Sequence, residues 1–323
     1  MGKKNHPRRG SLQFWPHAKS KKHTARVRSW AEVREGRLLG FVGYKVGMTH
    51  LLVKEENTQS HRKGMKIFTP VTVIECPPLK TYSVRYYANN DDGDLRLVSE
   101  IFAKKVDKEL GRKITPSKKE GKAPEYFDLV RITVYTQPSI TGIGKKKPDI
   151  VEMEVGGKDM KEKAAFAESL LGKEVRISEV FKAPQYVDVH AVSKGRGFSS
   201  ANRKFPSIKR LQHKSEKGRK GIGTLGPWHP NKVRFSVAQA GKWGYLLRTE
   251  YNKISLKIGN KPEEINPAGG FVRYGIVKND YILVKGSVPG AVKRPITITE
   301  AIRPKEKLYG QPVLYTSLES KQR

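Results

Sequence analysis

Apolar residues in this chain come in short alternating or continuous runs bounded by glycine, proline and asparagine, a pattern that predicts strands. Residues 38–53 read as two short strands with glycine turns, and 71–76 as a further strand. Residues 82–87 and 95–102 read as strands joined by the turn Asn89-Asn90-Asp91-Asp92-Gly93-Asp94. Further strands are expected at 127–135, 150–155, 186–192, 253–258, 270–274, 281–284 and 295–301. Helical periodicity is clearest at 158–171, where Met160, Ala164, Ala167 and Leu171 share a face. There Asp159 and Glu162 resemble a capping box, and Gly172 closes the helix.

Many short strands with glycine turns predict a mainly β fold. Residues 38–76 and 181–323 form a discontinuous β-barrel in this reading, interrupted by an α+β inserted domain at 77–180. Residues 1–37 form a basic N-terminal extension, and 193–245 a basic loop within the barrel.

Composition sharpens this picture. The 323 residues carry a net charge of +33, about one excess positive charge per ten residues. Self-repulsion on that scale opposes a compact free state, and a polyanion relieves it; nucleic acid does so with release of counterions. The first extension supplies Lys3, Lys4, Arg8, Arg9, Lys19, Lys21, Lys22, Arg26 and Arg28, with Phe14, Trp15 and Trp30 as stacking faces. The loop supplies Lys194, Arg196, Arg203, Lys204, Lys209, Arg210, Lys214, Lys217, Arg219, Lys220, Lys232, Arg234 and Lys242 against a single acid, Glu216. Phe198, Phe205, Trp228, Phe235, Trp243 and Tyr245 interleave with them. Cations hold phosphates, and aromatic or guanidinium planes stack on unpaired bases. Gly195 and Gly197 let the backbone around Arg196 approach a phosphate. In Gly226-Pro227-Trp228-His229-Pro230 the prolines stiffen a surface turn, which puts Trp228 at an apex and not in the core.

Other chemistry fares poorly. Gly221-Ile222-Gly223-Thr224-Leu225-Gly226 matches a dinucleotide fingerprint, but no strand is expected before it, and Pro227 and Pro230 oppose the helix that must follow. The acidic turn at 89–94 lacks the ligand order of a calcium loop. The eight histidines show no metal-ligand spacing, and the only cysteine, Cys76, reads as a small buried hydrophobe. No catalytic set, metal site or cofactor is expected. No apolar run is long enough for a membrane helix, and the N-terminus has no apolar signal region. These features fit a cytoplasmic protein.

The same segments carry a family resemblance. Pro7-Arg8-Arg9-Gly10-Ser11-Leu12, Gly40-Phe41-Val42-Gly43-Tyr44-Lys45-Val46-Gly47-Met48-Thr49-His50 and Ser193-Lys194-Gly195-Arg196-Gly197-Phe198 are matched. So are Gly226-Pro227-Trp228-His229-Pro230, Ala240-Gly241-Lys242-Trp243-Gly244-Tyr245, Arg248-Thr249-Glu250-Tyr251-Asn252-Lys253 and Lys285-Gly286-Ser287-Val288-Pro289-Gly290. The chain thereby resembles the archaeal-type branch of the universal large-subunit ribosomal protein L-three family, with the middle zone least distinctive. The resemblance implies a translation-factor-like Greek-key β-barrel with long basic extensions. It implies large-subunit rRNA and neighbouring ribosomal proteins as partners, early rRNA binding in subunit assembly, and no homo-oligomer. It also implies that the loop tip, Trp228 with His229, lies near the peptidyl-transferase centre.

Overall fold

A computed structural model describes residues 15, 17–115, 117, 121–205, 222–305, 307–320 and 322. It is mainly β, with 38% strand and 9% helix. The chain divides into two compact units: residues 22–192 with 248–323, and residues 1–21 with 193–247.

The larger unit holds two sheets. The first uses β1 (Gly40–Lys54), β2 (Lys66–Glu75), β8 (Gln185–Val192), β11 (Leu247–Gly259), β12 (Tyr281–Lys285), β13 (Pro295–Glu300) and β14 (Val313–Thr316). Its order is β13-β8-β11-β12-β2-β1-β14, and β13 also pairs with β1, so the path of hydrogen-bonded neighbours returns on itself. The second contains β3 (Leu79–Asn89), β4 (Leu95–Phe102), β5 (Leu129–Thr136) and β6 (Ile150–Glu154), in the order β4-β3-β5-β6, with the short β7 (Glu174–Val175) also against β3. Helices α1 (Met160–Ser169) and α2 (Ile177–Val180) follow β6 and β7.

β1 is one strand of fifteen residues where two were expected. Gly43 and Gly47 do not turn the chain. A Cβ on Gly43 would stand 2.5 Å from Ile74 Cγ2 and 2.8 Å from Cys76 Sγ, so the missing side chain lets β1 and β2 pass closely. Near Gly47 the register slips by a bulge. The expected strand at 270–274 is instead a tight turn in which Phe271 and Gly275 exchange backbone hydrogen bonds of 2.9 Å. Gly269 and Gly270 take positive φ there, and Phe271 and Tyr274 drop into the core. The turn between β3 and β4 forms as expected, Asn90 N–H donating to Asp94 O (2.9 Å) and Gly93 N–H to Asn90 O (2.8 Å). At α1 the expected capping box does not form: the Asp159 side chain makes no capping bond, and Glu162 accepts the N–H of Lys158 (3.1 Å), the residue before the N-cap.

One apolar cluster is shared by both sheets, joining Phe41, Val42 and Ile74 to Val84, Tyr86 and Ile132, with Ala167 of α1. A second gathers Tyr44, Leu51, Val71, Val73, Phe271, Tyr274 and Leu283. Glu75 is fully buried. Its Oε1 accepts the N–H groups of Lys278 (2.9 Å) and Asn279 (3.0 Å) and the Asn279 side-chain amide (2.8 Å), and its Oε2 accepts the Tyr274 hydroxyl. Hydrogen bonds replace the lost hydration of the carboxylate. Burial, then Glu75, pushes the Tyr274 phenol well above its ordinary range. Cys76 is buried, and its thiol is likewise pushed up by burial and then by Glu75.

Candidate nucleic-acid interface

The smaller unit carries more than half of the net charge on under a quarter of the chain. No acid lies among its described residues. Its neck is a backbone clasp. Ser193 N–H donates to Leu246 O (2.9 Å), Leu246 N–H to Ser193 Oγ (3.2 Å) and Tyr245 N–H to Lys194 O (3.1 Å).

From that clasp rises a hairpin of β9 (Gly195–Ser199) and β10 (Gly241–Gly244), followed after β9 by one helical turn, α3 (Ala201–Lys204). The pairing runs Gly241 with Ser199, Lys242 with Phe198 and Gly244 with Gly195, with a register shift beside Trp243. Gly244 has φ +71°, and a Cβ there would lie 2.1 Å from Lys194 O, so glycine is required at this crossing. The shift brings Arg196 over the indole of Trp243, 4.4 Å from its centroid. Gly195 and Gly197 flank that arginine, Gly197 with φ +66°.

A second aromatic group ties the first extension to the loop. Trp15 stacks on Phe205 (5.7 Å), meets Phe235 edge-on (6.1 Å) and contacts His17 (4.7 Å). Lys19 donates to Gly244 O, and burial, then the charges of Lys204 and Lys242, hold its ammonium below the usual lysine range. Anionic phosphate at this point would relieve that repulsion.

The expected cations are distributed as follows. Lys21, Lys194, Arg196, Arg203, Lys232, Arg234 and Lys242 are exposed on the smaller unit, where Lys19 and Lys204 are half-buried. Lys22, Arg26 and Arg28 are exposed but belong to the larger unit. Trp30 is not a stacking face: it packs against the core cluster, a Cβ on Gly40 falling 2.9 Å from its ring. Lys3, Lys4, Arg8, Arg9, Phe14, Lys209, Arg210, Lys214, Glu216, Lys217, Arg219 and Lys220 lie outside the described residues.

Trp228 is 85% exposed, and His229 beside it is exposed, with a cis peptide to Pro230. Phe198 and Phe235 are exposed as well. Gly221 of the glycine motif is outside the described residues, and 222–240 contain no strand and no helix, so no helix N-terminus meets that motif. Among the described residues, no His, Cys, Asp and Glu are grouped to hold a metal, and no helix is long and apolar enough to cross a membrane.

Two clefts escaped the sequence reading. One, of about 480 Å3, is lined by Arg196, Ser199, Arg203 and Trp243. The other, in the larger unit, is about 270 Å3 and is lined by His23, Lys145, Lys293 and Arg294 among others. Pairing of β9 with β10 across 42 to 49 positions creates the first, and a positive φ of 69° at Lys293 shapes the second; neither leaves a local signal in the sequence.

The profile of the family Ribosomal protein L3 matches residues 1–124 and 122–322. The chain belongs to that family. It is 42% identical over 328 residues to the large ribosomal subunit protein uL3 of Methanocaldococcus jannaschii, covering 98% of each chain. Identity to the protein of that name from Methanococcus vannielii is 44% over 336 residues, covering 99% of this chain and 98% of the relative. To that of Methanobrevibacter smithii it is 42%, covering 100% and 99%. These relatives come from archaeal methanogens, in agreement with the archaeal-type resemblance. The matched residues take in the less distinctive middle zone as well.

Proposed function

We propose that this chain is a structural constituent of the large ribosomal subunit, not an enzyme, and that its smaller unit binds large-subunit rRNA. The relatives' names supply the subunit. The observation that carries the RNA reading is the composition of the smaller unit: exposed cations and exposed aromatic rings, with no acid among its described residues. Such a surface neutralises phosphate and stacks on unpaired bases. The cations neutralise rRNA during assembly, and the Trp228 and His229 tip restrains rRNA near the peptidyl-transferase centre without doing chemistry. The strand path that returns to β1 supports a translation-factor-like Greek-key barrel of 38–76 and 181–323, with 77–180 as its insert. In this reading the protein works in the cytoplasm, not as a homo-oligomer, against rRNA and neighbouring proteins.

Sucrose-gradient fractionation of a cell extract tests the assignment. The protein should sediment with large subunits at moderate salt; its release into the soluble fractions at that salt would overturn the reading.

A further inference from the structure

The cleft on the smaller unit has the parts of a receptor for a single unstacked nucleotide. Arg196 already lies over Trp243, its Cζ 4.4 Å from the indole centroid, so the ring restrains the guanidinium before any ligand arrives. Both residues sit on paired strands, a rigid support for a binding surface. The indole lies on one side of that guanidinium, Arg196 is exposed, and a planar base can stack on its free side. Arg203 projects from the helical turn after β9 and lines the same cleft; its charge and fork of donors suit a phosphate. Ser199, buried on the β9 strand, also lines it, and a hydroxyl there can donate to or accept from a sugar or base edge. The volume of about 480 Å3 lies within the range of sites for small ligands.

We infer that this cleft takes one flipped-out RNA nucleotide, its base layered on the Arg196–Trp243 pair and its phosphate on Arg203. The inference rests on the proposed RNA binding and adds to it a preference for single-stranded over duplex RNA, because a base inside a duplex has no free face to offer.

The test uses the full chain, a short oligo-adenylate and an RNA duplex, with affinity read by fluorescence anisotropy over a series of salt concentrations. Arg196→Lys keeps the charge but loses the plane, and its site is exposed, so folding should be preserved. The expected result is a loss of about tenfold in oligo-adenylate affinity, with duplex affinity and the salt slope unchanged. Trp243→Ala should reproduce that loss, and Trp243→Phe should restore part of it. Arg203→Gln should instead flatten the salt slope for oligo-adenylate. If Arg196→Lys weakens both RNAs alike or neither, the nucleotide cleft is refuted while RNA binding stands. If the unaltered chain binds neither RNA, the proposed function fails together with the cleft.

Discussion

Replacing Trp228 by alanine separates an apex residue from a core residue by magnitude alone. The side chain is 85% exposed, so about a seventh of its ~250 Å2 is covered, roughly 40 Å2, worth about 1 kcal/mol at most at ~25 cal/mol/Å2. A tryptophan packed in a core would cost about 3–5 kcal/mol. Urea unfolding of the full chain, followed by far-ultraviolet circular dichroism, resolves the two. The expected outcome is a midpoint close to that of the unaltered chain with the same slope. In cells carrying the variant, its level in large-subunit fractions should be unchanged, while tRNA accommodation or sensitivity to drugs at the catalytic centre is altered. A loss of about 3 kcal/mol, or disappearance from the subunit fractions, would refute the apex reasoning.

Two further predictions concern the larger unit. Gly43→Ala places a methyl 2.5 Å from Ile74 Cγ2 and 2.8 Å from the Glu75 carbonyl; such overpacking costs about 1–3 kcal/mol, so the thermal midpoint should fall by several degrees, and an unchanged midpoint would contradict the close passage of β1 and β2. His190 bonds Thr249 (3.0 Å) and Thr299 (3.1 Å), and burial lowers its pKa, with Asp188 working in the opposite direction. The unfolded chain therefore takes up a proton that the folded chain resists as pH falls below about 6.5, and stability should decline from there down to the folded pKa and level off below it. Urea midpoints of His190→Gln should lack that component of the decline; an identical pH profile would count against it.

Several strands were legible where a turn signal bounded an apolar run. β4 matches its expected limits, and β6, β8, β12 and β13 lie within one or two residues of theirs. Misreadings arose where glycine served packing between strands and not turning, as at Gly43 and Gly47, or where paired glycines turned a segment whose apolar residues still reach the core, as at Phe271 and Tyr274. β14 was missed because it is short and half exposed, held by three residue pairings to β1. At the interface, the charge and the exposure of Trp228 could be read locally, since both depend on residues near in sequence. The stacking of Arg196 on Trp243 could not, because only the bulged register of β9 and β10 brings them together.

The clasp between Ser193 and Leu246 also bears on how such a chain can evolve. Closing a loop costs an entropy that grows with the logarithm of its length, so doubling the excursion adds only about 0.6 kcal/mol. With both ends joined by backbone hydrogen bonds, the intervening residues form a cassette: insertions and deletions beyond β9 and before β10 need not disturb the strands on which it is mounted. The length of the excursion is thereby free to vary, while the mount stays fixed.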